Sequence, residues 1–478
     1  MQKGMFVMKK MFVMKRTVAV VLCMYLLMLL GGCGIEQTAA TTAPSATTTV
    51  LPNRETETTA EWALDIYYLQ EPIATAKNMI SQYASANPDL FINATAFESI
   101  EEMDAQITSD LERGNGPDVI LFTDATQLDT VKLALNDHFI DLSGMLEEDI
   151  SFRAENYYPV LESGVIGGGQ YLIPLRMRLM YMMTTQESFT NDLALDEAYT
   201  LKQLMQALRE CADRCAEEEN AMHTMHSFDS YLYDLLRITG IQIVDVDELT
   251  QTVSEDMLME YAVFAQLAYS QCLQAAMDMR EYGTDNIGEM LSRNTAILIK
   301  ESMPANLRYF AAAYSKGLEQ EIQLITYPNQ YNARELIADI SLYAAVINTT
   351  DNLPGAYSFI RSAMDNSVGN INEQLPVSRA CVEALLATLG TSSGKMITVN
   401  SKVVMVDKIS EEQKEVCRSL LNRISQGSIA NAGVRKIISD GLGGFIMMEK
   451  DFDSCYQEIV SELACYLEEL YDYRYVIS

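Results

Sequence analysis

The chain holds little that could make or break a covalent bond. It has three histidines, His138, His223 and His226, and neither Gly-x-Ser-x-Gly nor His-Glu-x-x-His occurs in it. An activated serine or a zinc-held water therefore lacks its parts. Cys211 and Cys215 stand one helical turn apart, and His223 and His226 follow. Those are metal-binding residue types, but the interval between the pairs is shorter than in a zinc finger and no ββα pattern surrounds it. The expectation is a helix face followed by a loop, with no metal. Gly167-Gly168-Gly169 would suit a phosphate cradle only if a lysine-bearing helix came next. Gln170 and an extended run come instead, so a hairpin turn is expected, with no cofactor. Two carboxylates can hydrolyse a glycoside, yet 66 acidic residues make some such pair unavoidable, and an unavoidable pair carries no information.

Non-covalent recognition is what remains. In open α/β sheets ligands bind beyond the carboxyl ends of the strands, where loops offer side chains and helix N-termini offer free N–H groups. Strand ends in this sequence nominate Tyr68 and Gln70, then Thr123 and Asp124, then Arg176 and Arg178, and later Glu301 and Ser302. Asp124 and Ser302 would serve equally as helix caps. One of the two arginines is expected to face the cleft, where a guanidinium suits a carboxylate, a phosphate or sugar hydroxyls; it would otherwise pair with an acidic neighbour. Among 25 tyrosines, Tyr231 and Tyr343 are candidates to stack on a ring or bond a hydroxyl.

The elements that must position these residues are legible in the apolar periodicity. Ala63 to Leu69 alternates as a strand, and Ile73, Ala76, Ile80, Tyr83 and Ala84 recur at helical spacing up to Asn87-Pro88. The order repeats with a strand from Leu90 to Ala96 and a helix carrying Ile100, Met103, Ile107 and Leu111. Gly114 to Pro117 then turns the chain into the buried strand Asp118 to Phe122. Alternation of this kind predicts a parallel sheet with helices on both faces. Tyr171 to Pro174 and Leu179 to Thr184 read as extended, followed by helices over Leu201 to Glu219, Ser227 to Ile238 and Ser254 to Arg280. Strand character returns at Thr295 to Lys300, Ile322 to Tyr327 and Ser341 to Ile347, after which the pattern is mostly helical. Strand-rich and helix-rich regions in alternation predict an α/β fold of two lobes that the chain visits in turn, with a cleft between them.

Ahead of this body, Lys9, Lys10, Lys15 and Arg16 precede an apolar run from Thr17 to Leu30. The charged-then-apolar order is that of a secretory signal, and the run is short of the ~20 residues that span a bilayer. Its end, Leu30-Gly31-Gly32-Cys33, resembles the lipobox of bacterial lipoproteins position for position. The resemblance implies removal of residues 1–32 and acylation of Cys33, leaving the protein held by lipid at the outer face of the cytoplasmic membrane. From Ile35 to Ala60 there are nine threonines and almost no large apolar residue, a composition that predicts a flexible tether over 33–61.

The formal charge is −32, which opposes nucleic acid and anionic lipid as partners of the body. About half of the residues are apolar and 21% are charged, as in a folded domain and not in a disordered chain. Without Cys23 and Cys33, seven of nine cysteines remain, an odd number at irregular spacing that is no disulfide framework.

Several short runs in order resemble the extracellular solute-binding proteins of ABC importers, in particular the family 1 group that includes sugar-binding lipoproteins. They are Gly116-Pro117-Asp118-Val119, Gln170 to Pro174, Thr295 to Leu298, Tyr327-Pro328, Ala356 to Ile360, Leu375 to Arg379 and Tyr466 to Leu470. The resemblance implies a monomeric, periplasmic-binding-protein-like body whose first lobe takes 62–174 and 287–328 and whose second takes 175–286 and 329–478. It further implies capture of a solute, most simply a carbohydrate, by hinge closure, delivery to the transmembrane subunits of an ABC permease, and no enzymatic step. A sensing lipoprotein or an exported glycoside hydrolase are the alternatives. Sugar binders of this group commonly stack tryptophan on the sugar, and Trp62, at the lip of the first strand, is the one tryptophan here.

Overall fold

The computed structural model describes residues 47–49, 63–70, 75–185, 199–217, 228–263, 265–266, 298–300, 307, 312, 322–366, 374–389, 396–399, 402–406 and 408–475. Trp62, the signal, Cys33 and the His223/His226 pair lie outside them. The first third of the body follows the expected alternation: β1 (Thr47–Thr49), β2 (Ala63–Leu69), α1 (Thr75–Ala86), β3 (Phe91–Phe97), α2 (Ile100–Glu112), β4 (Val119–Thr123) and α3 (Thr130–Leu135). Each strand buries what its alternation promised; Leu64, Ile66 and Tyr68 face inward from β2. Helix α1 buries Ala76, Met79, Ile80 and Tyr83 along one face. Ser99 caps α2 by accepting from the Glu102 N–H, and Asp129 caps α3 through Val131 and Lys132.

A glycine hairpin, β5 (Val165–Ile166) and β6 (Gly169–Gln170), leads into β7 (Ile173–Arg178) and β8 (Tyr181–Thr185). Gly167 and Gly168 between its strands have φ of 59° and 88°, the pattern of a tight turn that glycine alone enters freely. Then come α4 (Leu201–Glu217), α5 (Phe228–Ile238), the β9 (Val244–Asp245) and β10 (Thr250–Gln251) hairpin, β11 (Leu298–Lys300), β12 (Ile322–Thr326) and the long β13 (Leu336–Val346). The remainder is α6 (Leu353–Met364), β14 (Leu375–Pro376), α7 (Arg379–Leu389), the β15 (Met396–Val399) and β16 (Lys402–Met405) hairpin, α8 (Glu411–Leu421), β17 (Ile424–Ser428), α9 (Ala432–Ile446) and α10 (Phe452–Tyr475).

The main sheet runs β1-β3-β2-β4-β13-β7-β14, with β17 also on β13. The expected all-parallel sheet is therefore corrected to a mixed one. Strand β2 pairs in parallel with β3 and β4, whereas β13 runs antiparallel to both β4 and β7. Its eleven residues are buried on both faces, so no polar alternation announces its direction. A smaller antiparallel sheet, β11-β8-β12, stands apart.

Most of the buried apolar residues fall into two large clusters. The first surrounds the main sheet and takes Met79, Met103, Phe122, Phe359, Val382 and Cys417. The second gathers Leu236, Ile325, Ile438, Leu442, Ile459 and Leu463 under α5, α9 and α10. Strand pairing links segments across the expected lobe boundaries. β12, assigned to the first, pairs with β8, and β13, assigned to the second, pairs with β4. The tether expectation is corrected at one point, since Thr47–Thr49 lies antiparallel on β3, Thr48 opposite Thr95. An open sheet edge offers unpaired peptide groups, and β-branched threonines suit extended backbone.

Candidate functional site

Among the described residues, the β7–β8, β12–β13 and β17–α9 connections link segments of the first core to segments of the second. All three passages meet beside one residue, Asp339 on β13. Arg178, the last residue of β7, is its antiparallel partner. Ser428, the last residue of β17, is its parallel partner. Strands β17 and β4 lie along β13 from opposite directions, Ser428 against Asp339 and Thr123 against Leu342. Their carboxyl ends point at each other across Ile340 and Ser341. Such a meeting of strand ends is where open α/β sheets place ligands.

Charged groups fill this junction. Arg178 Nε donates to Asp339 Oδ2 at 2.9 Å and its Nη2 pairs with the same oxygen at 2.5 Å. That Nη2 also pairs with Asp124. From α5, Arg237 approaches Asp339 Oδ1 to 2.6 Å, donates to the Ser428 carbonyl at 2.8 Å and holds Asp234 at 2.9 Å. Arg435 on α9 donates to the backbone carbonyl of Asp124 at 2.7 Å and to that of Thr126. Among the described residues, Asp124, Asp234 and Asp339 are thus gathered with Arg178, Arg237 and Arg435.

Burial and pairing pull these groups in opposite directions. The Asp339 side chain is 1% exposed, and burial alone would raise its carboxyl. Arg178 and Arg237 outweigh that and hold it at about 2. Asp124 goes the other way, raised by burial and by the fields of Asp339 and Asp234 despite Arg178. Its side chain keeps 28% of its surface accessible, which leaves a hydrogen-bond acceptor open at the junction. Isolated buried charges are costly, so each must stay paired.

The nominated residues divide. Asp124 and Arg178 belong to the cluster, Asp124 as an ion-pair partner and not as a helix cap; that role falls to Asp129. Thr123 is buried beside it, its hydroxyl accepting from the Ala125 N–H at 3.4 Å. Tyr343 is fully buried and stacks on Phe122 with centroids 5.6 Å apart; burial raises its hydroxyl above its usual range. Tyr68 is packed in the first core, and Gln70 is exposed at the end of β2, its N–H donating to the Phe97 carbonyl. Arg176 is buried elsewhere, donating to the Leu175 and Asn366 carbonyls, and burial lowers it to about 10. Positions two apart on a regular strand share a face. The two arginines nevertheless part where the β13–β7 register shifts, between Ile340 and Leu342. The Tyr231 side chain, Glu301 and Ser302 lie outside the described residues.

Asp339, Arg237, Asp234 and Arg435 were not nominated. Asp339 carried a signal, because it is the one charge within Leu336–Val346, and a charge in an apolar strand needs a partner. Asp234 and Arg237 stand at i, i+3 on α5. Nothing local marked Arg435.

No protein-family model and no curated protein sequence matches the chain. Solved structures do. The sugar-binding protein MalE from Xanthomonas citri superposes with a TM-score of 0.60 at 10% identity, covering 87% of this chain and 98% of that one. An extracellular solute-binding protein family 1 member from Alicyclobacillus acidocaldarius gives 0.52 at 12% identity, covering 85% and 98%. A sugar transporter from Rhizobium etli, in an open conformation, gives 0.55 at 14% identity, covering 84% and 98%. The fold is that of the extracellular solute-binding proteins. The ion cluster lies where β7, β13 and β17 meet. Among the described residues no helix is long and apolar enough to cross a membrane, and no group of histidine, cysteine and carboxylate residues is placed to hold a metal.

Proposed function

We propose that this protein captures an uncharged, hydroxyl-rich solute, a sugar or oligosaccharide, between its lobes and passes it to the transmembrane subunits of an ABC permease, without transforming it. The observation that carries the reading is the paired aspartate–arginine cluster at the facing carboxyl ends of β4 and β17. Its guanidiniums already hold carboxylates and carbonyls, so an anionic solute would have to displace a buried pair at a cost of several kcal/mol. The accessible Asp124 carboxylate, by contrast, accepts from hydroxyls. Binding proteins of this fold include the sugar-binding MalE of Xanthomonas citri, and the open Rhizobium etli structure supports a hinge. The lipobox-like Leu30 to Cys33 supports anchoring through acylated Cys33 on the extracellular side of the membrane.

The test is the melting temperature of the purified chain against oligosaccharides, monosaccharides, amino acids, polyamines and phosphorylated sugars. A ligand of the folded state at 100 times its dissociation constant adds about 2.7 kcal/mol. The expected result is a rise with neutral sugars alone. A rise with phosphorylated sugars or amino acids instead would overturn the solute class, and turnover of a chromogenic glycoside would overturn the binding-only reading.

A further inference from the structure

Strand β3 would be the outer edge of the main sheet were it not for β1. Between Phe91 and Phe97 it carries neither a charge nor a proline, and Phe91 is 40% exposed. Sheet edges are ordinarily guarded by lysine, proline, a bulge or a covering segment, because their unpaired N–H and C=O groups invite another strand. Strand β3 has a covering segment. Its inner side pairs with β2 from Phe91 to Phe97, and its outer side pairs antiparallel with Thr47–Thr49. Thr47 lies opposite Ala96, Thr48 opposite Thr95 and Thr49 opposite Ala94. The cover comes from the threonine-rich tether. Thr47-Thr48-Thr49-Val50 is the longest β-branched run between Cys33 and Ala60, and Pro44 and Pro52 stand on either side of it. β-Branched residues favour extended backbone and proline cannot donate to a ladder, so this is the one stretch of the tether suited to the edge.

We propose that the outer edge of β3 is the seat of the chain's own tether, and that this seating shortens the leash between the lipid on Cys33 and the folded body. The inference rests on the lipid-anchored reading. Thr47 stands fourteen residues after Cys33, whereas Ala63, where β2 begins, stands thirty after it. An extended chain spans at most ~3.3–3.6 Å per residue, so seating cuts the farthest reach of the body from about 100 Å to about 50 Å. For a flexible linker the effective concentration falls roughly as the −3/2 power of length, so the shorter leash raises that of the body at a partner in the membrane roughly threefold. No residue of 47–49 belongs to either large apolar cluster, so the seat can be vacated while the body stays folded.

The test compares wild type with the triple variant Thr47→Pro/Thr48→Pro/Thr49→Pro, in which no residue of the segment can donate to the ladder. Amide hydrogen exchange on the full chain in detergent reads the seat. In wild type, amides of 47–49 are expected to exchange more slowly than those of 38–42. In the variant, amides of 94–96 are expected to exchange about tenfold faster, while those of 119–123 on β4 stay as protected as in wild type. Neutron reflectometry of the acylated protein on a supported bilayer reads the leash, and the outer limit of the protein layer is expected to move outward by up to about 50 Å in the variant. Wild-type exchange at 47–49 as fast as at 38–42, or unchanged exchange at 94–96 in the variant, overturns the seat. Faster exchange at 94–96 with an unmoved protein layer overturns the leash. A protein that takes up no labelled palmitate loses the anchor and the leash with it, and the exchange result still decides the seat.

Discussion

Asp339 shows how a single buried carboxylate can hold together parts of the chain that are far apart in sequence. It meets Arg178, 161 residues away, and Arg237 from a helix of the other lobe. Removing one partner of such a cluster leaves uncompensated charge, at a cost of about 3–5 kcal/mol. Asp339→Asn is therefore expected to lower the unfolding free energy by that amount, read from urea denaturation. Its carboxyl sits below the ordinary 3.8 at about 2 in the folded protein. The stability it contributes is present above the ordinary carboxylate value and is lost as pH falls below it. The difference between wild type and Asp339→Asn should then be flat above 3.8 and shrink below it. Asp124, raised by burial, contributes with the opposite sign, since its protonation on acidification favours the folded state.

Among the elements, α6 illustrates how a cap fixes a helix to a sheet. Asn352 accepts from the Gly355 N–H at 3.1 Å and, through its amide, donates to the Ala63 carbonyl at the start of β2, also at 3.1 Å. The helix then buries Ala356, Phe359, Ile360 and Ala363, and Phe359 meets Tyr83 of α1 edge to face at 5.3 Å. Asn352→Ala is expected to cost about 1–2 kcal/mol. Asn352→Asp, which keeps the cap and loses the amide donor, should cost less; denaturant midpoints of the two variants separate cap from tie. Equal losses would show that the bond to Ala63 carries the effect.

For the whole molecule, the sequence carries a formal charge of −32. That acidic excess favours solubility and opposes association with anionic lipid. Attachment would rest on the acyl chains of Cys33. Cys33→Ala is expected to abolish incorporation of labelled palmitate and to shift the protein from the membrane fraction to the medium; labelling that survives the substitution would refute the anchor.

Local physics alone determined much of this protein. Period-two and period-3.6 patterns placed β2, α1, β3, α2 and β4 within a residue or two, because each buries a face that its own residues define. The glycine hairpin before Gln170 was equally local. The tertiary structure decided where β13 runs, because a strand buried on both faces carries no alternation to orient it. It decided that β12 pairs with β8 and β13 with β4, since such pairing joins segments remote in sequence. It also separated Arg176 from Arg178 through a register shift that no residue of β7 announces. Above all it assembled the site: Asp124 and Arg178 were legible as strand ends, but Asp339, Arg237 and Arg435 became partners only when three crossovers were brought to one point.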